Sequence, residues 1–317
     1  MPEHETPWDP VHAAATGLIV DAAAVEAVSA LRDAGIRPIL LKGASFDRWL
    51  YDPSEPRMYG DVDLLVAGRA FDYAGQILER LGYRERAEEL APTHVDHAKL
   101  WVRLRDQMHV DLHRSLVGIG ADRDKAWAVL SEHTEQMEVG GADLEVLSEP
   151  ARAFQVALHA TVHGSGEEKT LLDLSRALER ASPGTWEAAV ALSKRLGAES
   201  AFAAGLEMAP EGRALAARLE LTAERSVETA MFAESAPYSS WTVNRLANTP
   251  GVMPKLRIAM RRIFPEPDFM RAWYPIARRG RIGLVLSYPR RLAWLVRATG
   301  PAVAGWLRAR RRARESG

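Results

Sequence analysis

Apolar residues follow two different periods along the chain, and the change of period divides it into parts. Before residue 149, short apolar runs that suit strands alternate with segments of helical period, which predicts a mixed α/β unit. After that point the helical period continues almost without interruption. We therefore predict an α+β fold with a small mixed α/β domain over 1–148, a helical domain over 149–234, and a linker with a basic helical C-terminal tail over 235–317.

The elements of the first domain follow from apolar spacing and from the Gly and Pro residues between them. Two glycines at 140–141 separate a pair of alternating segments, which is typical of a hairpin. In chain order we predict a helix over 13–34, a strand over 36–41, a helix over 45–50, a strand over 60–66, a helix over 69–81, a hairpin of strands 94–104 and 108–112, and a hairpin of strands 134–139 and 142–147.

The rest of the chain is predicted to be helical with one looser stretch. Pro150 suits the first turn of a helix, which continues to a Gly-Ser-Gly loop at 164–166. Residues 235–250 combine Pro, Ser and Asn, and we interpret them as the linker to the tail. The further predicted helices cover 169–180, 185–196, 199–208, 211–219 and 223–233.

Length and composition limit the class of protein. A chain of 317 residues that is 47% hydrophobic buries a substantial core. The lack of cysteine excludes disulfides, thiolate nucleophiles and cysteine-ligated metals, and is compatible with a reducing cytosol. The polar start at 1–10 lacks the pattern of a signal peptide, and no apolar run approaches the roughly 20 residues that span a membrane. We therefore expect a cytoplasmic protein.

Charge is distributed unevenly along the chain. Residues 251–317 carry 16 Lys and Arg against 3 Asp and Glu, although the net charge of the whole chain is only −1. This tail interleaves Trp and aliphatic residues with its arginines, which suits an anionic membrane surface. The same residues suit RNA phosphates, or packing of the tail on the acidic remainder of the chain. Peripheral attachment to a membrane and docking within the protein are the two leading interpretations.

Three aspartates lie on segments that are predicted to be strands. Asp61 and Asp63 alternate with apolar residues, so both project from one face of their strand. Asp111 recurs in the same setting, between Val110 and Leu112. Three carboxylates that converge in one cleft repel each other unless cations join them, and Mg²⁺ commonly shares its ligands between carboxylates and substrate phosphates. The three aspartates therefore predict a site for metal and a nucleoside triphosphate.

Residues upstream of the first aspartate are candidates for holding phosphates. Lys42 and Gly43 follow an apolar strand, and glycine at that point lets a backbone approach phosphate closely. The planar guanidinium of Arg57 is a further candidate clamp. The structural alternatives are a surface lysine at a strand end for Lys42 and a loop ion pair for Arg57.

Histidines occur beside the third aspartate and on a later helix. His109 and His113 flank that aspartate on one strand face, where they orient it, contact nucleotide, or are ordinary partly buried imidazoles. His159 and His163 are four residues apart on one helical face, with Asp173 on the next helix. That spacing permits a metal site, so a metal-dependent phosphohydrolase centred on these last three residues is the alternative enzyme class.

Several of these motifs occur in an order that resembles a known family. They are Leu40–Gly43, Leu50–Tyr51, Arg57, Gly60–Val66, Leu81–Tyr83, Val110–His113, Leu158–His163 and Leu172–Leu174. Together, over roughly residues 30–180, they resemble the uncharacterised nucleotidyltransferase family of the polymerase-beta-like superfamily. The resemblance implies that the first predicted domain is a nucleotidyltransferase-like catalytic domain.

The resemblance also implies a reaction and its residues. A nucleoside monophosphate would move from a triphosphate to an acceptor with release of pyrophosphate. Asp61, Asp63 and Asp111 would be the catalytic residues and would hold one or two Mg²⁺, for which Mn²⁺ can substitute. Ser45 would join the nucleotide-binding residues after the first strand. The helical face that carries the two later histidines and Asp173 would close over the cleft and contact phosphate or acceptor.

The acceptor has no readable code in the sequence. A peptide, a sugar, a small molecule and RNA remain open. A degenerate transferase fold that acts as a non-catalytic adaptor, with the basic tail as its attachment point for a membrane or RNA, is the third interpretation.

Overall fold

A seven-stranded mixed sheet forms the centre of the first half of the molecule. The computed structural model describes the chain except for residues 1–8, 87–96, 165–166, 224–226, 228–229, 232–235 and 316–317. Within the described residues the strands are β1 Ile39–Leu40, β2 Asp61–Leu65, β3 Tyr83–Glu85, β4 Ala98–Arg103, β5 His109–His113, β6 Thr134–Val139 and β7 Ala142–Leu147. Their order across the sheet is β3-β4-β5-β2-β1-β7-β6.

Helices pack on the sheet and make up most of the remaining described chain. They are α1 Pro10–Asp33, α2 Ala44–Leu50, α3 Phe71–Arg80, α4 Arg123–Ser131, α5 Glu149–His163, α6 Glu168–Arg180, α7 Pro183–Leu196, α8 Glu199–Leu206, α9 Pro210–Arg218, α10 Tyr238–Asn248, α11 Val252–Ile263, α12 Pro267–Trp273 and α13 Gly280–Glu315. Short 3₁₀ turns lie at Gly68–Ala70 and Pro275–Arg278.

The sheet separates two hydrophobic cores, because side chains alternate along its strands. Leu40 and Val62 belong to the core that contains the buried sides of α1 and α3. Ile39 is adjacent to Leu40, and Leu65 is three residues after Val62, so both point to the opposite side of the sheet. They belong to the core that contains α5 and α7. Helices α5 to α9 are therefore anchored to the sheet by a continuous apolar core.

The fold class and most elements are confirmed, and the differences have local causes. The hairpin of β6 and β7 has the predicted bounds, 134–139 and 142–147. The strand predicted at 36–41 is regular only over Ile39–Leu40, although Ile36 and Leu41 are buried. Strand β3 was not predicted, because three residues at a sheet edge leave too short a pattern. The predicted domain boundaries at 148 and 234 stay predictions.

The loose conformation predicted for 235–250 is wrong, because α10 occupies Tyr238–Asn248, and its role as a linker stays a prediction. The buried side chain of Trp241 on this helix packs in a small cluster with Met231 and with Ala309 of α13. Contacts with a helix some 60 residues away stabilise a segment whose local composition suits a loop.

Parts of three predicted elements lie outside the described residues. They are residues 94–96 of the first predicted hairpin, residues 165–166 of the Gly-Ser-Gly loop, and residues 224–226, 228–229 and 232–233 of the helix predicted at 223–233.

Among the described helices, α1 alone is long and apolar enough to cross a membrane by length and composition. The expectation that the chain has no such segment is therefore wrong on these criteria. The inward side of α1, with Ala27 and Leu31, is buried in the core under the sheet. Core helices and signal sequences meet the same criteria, so α1 is weak evidence for a membrane span.

Candidate active site

A cavity of about 290 Å³ lies where the sheet meets the first helices of the second half. Strands β2 and β5, the residues that follow β1, helix α5 and the start of α6 all contribute to its lining. The predicted site residues that line it are Lys42, Gly43, Arg57, Asp61, Asp63, Asp111, His113, His159 and His163. Three other predicted site residues, Ser45, His109 and Asp173, are not part of this lining.

The register of two parallel strands brings the predicted aspartates together. Strands β2 and β5 pair in parallel with Asp63 opposite Asp111. Asp61 lies two residues before Asp63 on the same side of β2, because side chains alternate along a strand. The convergence inferred from the sequence is thus produced by strand pairing that the sequence does not state.

Asp63 is the aspartate of the three whose negative charge is neutralised by neighbouring side chains. Its side chain is almost fully buried, and its Oδ1 atom lies 2.9 Å from the Lys42 ammonium and 3.0 Å from Nε2 of His113. Burial raises the pKa of Asp63, but the charge of Lys42 and the His113 hydrogen bond outweigh it and hold that pKa well below its usual range. The same contact with Asp63, helped by Asp61, outweighs burial and raises the pKa of Lys42.

The side chains around Asp61 and Asp111 do not supply enough positive charge to neutralise these two carboxylates. Burial, followed by the charge of Asp63, raises the pKa of Asp111 to about 7. Repulsion by Asp63, followed by burial, raises the pKa of Asp61. Both directions mean that this cluster holds more negative charge than its neighbours neutralise, so a bound cation would stabilise its ionised form.

The donor atoms suit a hard divalent cation. Within the described residues, Asp63, Asp111 and His113 each offer one ligand atom, and these atoms lie within 4.8 Å of one another. Carboxylate oxygens are the ligands that Mg²⁺ prefers, and Mn²⁺ accepts them too. The imidazole of His113 already contacts Asp63, which makes it a partner that orients this carboxylate. The residues present therefore fit a magnesium site.

The turn after β1 places backbone beside the aspartates. Gly43 has a φ of 60°, a conformation that favours glycine, and a Cβ atom there would lie 3.2 Å from the Tyr59 ring. This glycine precedes α2 as its N-cap residue. Ser45, two residues later, is fully buried with its hydroxyl unpartnered. The geometry thus favours contact between a ligand and Gly43 rather than Ser45.

Arg57 and Asp173 form a buried ion pair. The Nε of Arg57 lies 2.9 Å from Oδ1 of Asp173, and its Nη2 lies 2.7 Å from Oδ2. The hydroxyl of Tyr51 donates a third hydrogen bond to the same carboxylate, at 2.7 Å. The guanidinium fork predicted to clamp phosphate is therefore occupied by a carboxylate, and the loop before β2 is fastened to α6.

The two helical histidines face the cavity, but the predicted cluster with Asp173 is not assembled. The rings of His159 and His163 lie 4.4 Å apart, and Nδ1 of His163 contacts a carboxylate oxygen of Glu167. Burial is the largest of the effects that lower the pKa of both histidines, and the charge of Lys42 adds to it. Asp173 is paired elsewhere, so the described residues give the phosphohydrolase hypothesis no metal cluster.

His109 is the first residue of β5 and is outside the cavity lining. It pairs with Asp61 of β2 and with Val102 of β4 in the sheet register. Because it lies two residues before Asp111, its side chain shares that face of the strand, yet the cavity lining includes only Asp111 and His113 from this strand.

Sequence reasoning missed several polar residues that line the cavity, among them Gln155 and Lys169. Gln155 is buried, and no described residue forms a hydrogen bond with its Oε1 atom. Its position four residues before His159 on the same helical face was a usable signal. Lys169, on the first turn of α6, is also in the lining, and burial and then Arg57 lower its pKa. No local pattern marked this lysine.

No curated protein matches the chain significantly. Among solved structures, the solution structure of the antibiotic-resistance factor ANT(2'')-Ia is 18% identical, with a TM-score of 0.41, over 58% of this chain and 94% of that one. The crystal structure of ANT(2'')-Ia with adenylyl-2''-tobramycin is 17% identical, with a TM-score of 0.41, over 55% and 97%. An antigenic nucleotidyltransferase-like protein from Paracoccidioides brasiliensis is 14% identical, with a TM-score of 0.39, over 65% and 93%.

These likenesses have TM-scores below 0.5 and carry no further weight. The family comparison is decisive because of its extent. The model of a family described as uncharacterised nucleotidyltransferase matches residues 11–212, which is more than half of the chain and includes every residue that lines the cavity. The protein therefore belongs to the uncharacterised nucleotidyltransferase family and is a nucleotidyltransferase by class.

Proposed function

We propose that the protein is a Mg²⁺-dependent enzyme that transfers a nucleoside monophosphate from a nucleoside triphosphate to an unidentified acceptor, with release of pyrophosphate. The observation that carries the proposal is the charge of the cavity. Asp61 and Asp111 have raised pKa values beside Asp63, and the same cavity contains the ammonium groups of Lys42 and Lys169. A metal–triphosphate complex would supply the cation that Asp61 and Asp111 need and an anion for Lys169, whose pKa is lowered by burial.

Asp61, Asp63 and Asp111 are the residues that would hold the metal. When bound, Mg²⁺ neutralises the triphosphate and stabilises the charge that develops on the leaving pyrophosphate. Asp63 is held ionised by Lys42 and His113, so it presents a carboxylate oxygen at every ordinary pH. The rigid parallel pairing of β2 and β5 fixes the spacing of these oxygens.

In this proposal Asp111 would also act as the general base. An acceptor hydroxyl would attack the α-phosphorus, the bond to the bridging oxygen of pyrophosphate would break, and the hydroxyl proton would pass to a carboxylate oxygen of Asp111. The raised pKa of Asp111 in the metal-free protein suits proton acceptance near neutral pH. His159 and Gln155 line the same cavity and would contact the acceptor or the nucleotide.

The proposal is tested with α-labelled triphosphates. Each of the four ribonucleoside triphosphates is incubated with protein and Mg²⁺, with and without host extract, and both pyrophosphate and label transfer are measured. We expect pyrophosphate release with at least one triphosphate, transfer of label to an acceptor in the extract, and loss of both with EDTA or in Asp61→Asn and Asp63→Asn. Release of orthophosphate instead of pyrophosphate would indicate a phosphohydrolase. Full activity in both variants would contradict the site.

Lys169→Met should weaken use of the triphosphate. The lysine lies in the cavity with its charge partly desolvated, so a phosphate contact there is worth about 1.5–3 kcal/mol, a roughly 10- to 150-fold loss in kcat/KM. The matched control is Lys125→Met, which removes an exposed lysine from the first turn of α4. The kcat/KM of each variant is measured from the steady-state rate of pyrophosphate release, and we expect a loss in Lys169→Met only. Equal kinetics in both variants would mean that Lys169 does not bind phosphate.

A further inference from the structure

The longest helix of the protein has one face buried and the opposite face apolar and exposed. Helix α13 has 36 residues, about 54 Å of helix. Ser287 and Arg291, four residues apart, are buried on its inner side. The apolar side chains on its outer side are exposed to between 50% and 78%, and they are Ile282, Val285, Leu286, Leu292, Val296 and Leu307. We call these residues the outer stripe.

The spacing of the outer stripe is that of one side of a helix. Ile282, Val285 and Leu286 are three and four residues apart, and Pro289 and Ala293 continue the row as exposed residues to Val296. An exposed apolar residue by itself needs no explanation, but a row of them along about 20 Å of helix does. Such a row is typical of a surface that something else covers.

Helix α11, beside α13 in the same basic region, repeats the feature. None of its residues is buried, and its exposed apolar side chains are Val252, Met253, Leu256 and Met260, followed by Phe264 just beyond the helix. Two neighbouring helices of the tail therefore both leave large apolar side chains in contact with water.

Positive charge accompanies the outer stripe. Arg281, Arg290 and Arg297 are exposed along the stripe, within a tail that carries 16 Lys and Arg against 3 acidic residues. The match to the nucleotidyltransferase family ends at residue 212, so this region is not part of the matched unit. Exposed aliphatic side chains edged by arginines are the pattern of a helix that lies in a lipid headgroup region.

We propose that the tail, through the outer stripe of α13 and the exposed residues of α11, binds the surface of a bilayer that contains anionic lipids. Aliphatic side chains enter the headgroup boundary, and the arginines pair with lipid phosphates and carboxylates. The helix lies on the surface rather than across it, because its arginines occur along its whole length. The proposal is independent of the reaction proposed above.

The chemistry of the stripe favours lipid over the other possible occupants. Single-stranded nucleic acid is bound by rows of aromatic side chains on which bases stack, whereas all six residues of the outer stripe are aliphatic. The exposed Trp294 of α13 is outside the stripe and contacts the buried Arg291, which leaves Phe264 as the aromatic residue of the proposed surface. A second copy of the tail would bring two strongly positive surfaces together. The third possible occupant is the acidic remainder of the chain, but its described residues do not cover the stripe in this structure.

The test is cosedimentation of the full chain with vesicles. We expect binding to phosphatidylcholine vesicles that contain phosphatidylserine, with at least tenfold weaker partitioning to phosphatidylcholine alone or when salt near 1 M shortens the Debye length to about 3 Å. Val285→Glu with Val296→Glu, and separately Arg290→Glu with Arg297→Glu, should each reduce partitioning at least tenfold. Melting temperature and gel filtration confirm that each variant is folded.

The matched control is Leu18→Glu with Ile19→Glu, which changes two exposed apolar residues on α1 and should leave partitioning unchanged. If the Val variant unfolds, the Arg variant decides alone. The proposal is overturned if the unmodified chain ignores phosphatidylserine, or if both tail variants bind as it does. It is also overturned if the unmodified chain binds RNA but no vesicles, or forms a dimer that the Val variant dissociates without any lipid binding.

Discussion

Asp111→Asn is expected to abolish nucleotidyl transfer and yet to raise the melting temperature of the metal-free protein at pH 8. Removal of a metal ligand that also serves as the base should lower kcat by about a thousandfold or more. The gain in stability comes from the same carboxylate, because burial and the charge of Asp63 make its ionised form unfavourable. Opposite effects on activity and stability are the expected signature of a functional residue.

The pH dependence of that gain follows from the pKa. The pKa of Asp111 is about 7 in the folded protein, against 3.8 for an unperturbed aspartate. Between these values the folded protein binds the extra proton, so stability is lost as pH rises from about 4 to about 7. The penalty is complete above pH 7 and amounts to a few kcal/mol. Asparagine removes it, so the melting temperatures of variant and parent should be close at pH 4 and differ by several degrees at pH 8.

Asp63→Asn is the matched control, because it makes the same chemical change at the carboxylate whose charge is neutralised. That variant removes the carboxylate that lies 2.9 Å from the half-buried Lys42 ammonium and should lower the melting temperature at both pH values. Both proteins are measured in EDTA by thermal denaturation, and activity is measured as pyrophosphate release with Mg²⁺. An Asp111→Asn protein that keeps a tenth of the parent activity would remove Asp111 from the mechanism.

The predictable part of the site consists of the residues whose orientation follows from the alternation of side chains along one strand. Alternation along β2 placed Asp61 and Asp63 on one face, and the same alternation marked Asp111. Strand pairing then joined the two sets, which required only that the strands be neighbours. The wall formed by α5 and α6 was less accessible, because Gln155 and Lys169 reach the cavity only through the way these helices dock on the sheet.

The sequence also did not show which side chains form contacts with residues far away in the chain. Arg57 and Asp173 were each identified as ligand contacts, yet they are 116 residues apart and bond to one another. Neither residue has a local pattern that distinguishes a clamp for phosphate from half of a buried pair. The helix α10 was missed for the same reason, since Trp241 finds its packing partner on α13.

Asp173→Asn is expected to lower the free energy of unfolding by about 3–5 kcal/mol, because it leaves the Arg57 guanidinium buried without a counter-charge. Both side chains are almost fully buried, and the pair joins the loop before β2 to α6, so the loss should also loosen the contact between the sheet and the helical half. Urea unfolding followed by circular dichroism measures the change.

Two further variants decide whether the pair is structural. Arg57→Met combined with Asp173→Leu removes both charges and should recover most of the lost stability, because an apolar pair of similar volume avoids the cost of an unpaired buried charge. The surface control is Arg180→Ala, whose partner Asp52 on the same loop is largely exposed, and it should cost less than about 1 kcal/mol. If Asp173→Asn instead left stability intact and raised the KM for the triphosphate, the guanidinium of Arg57 would bind phosphate as the sequence predicted.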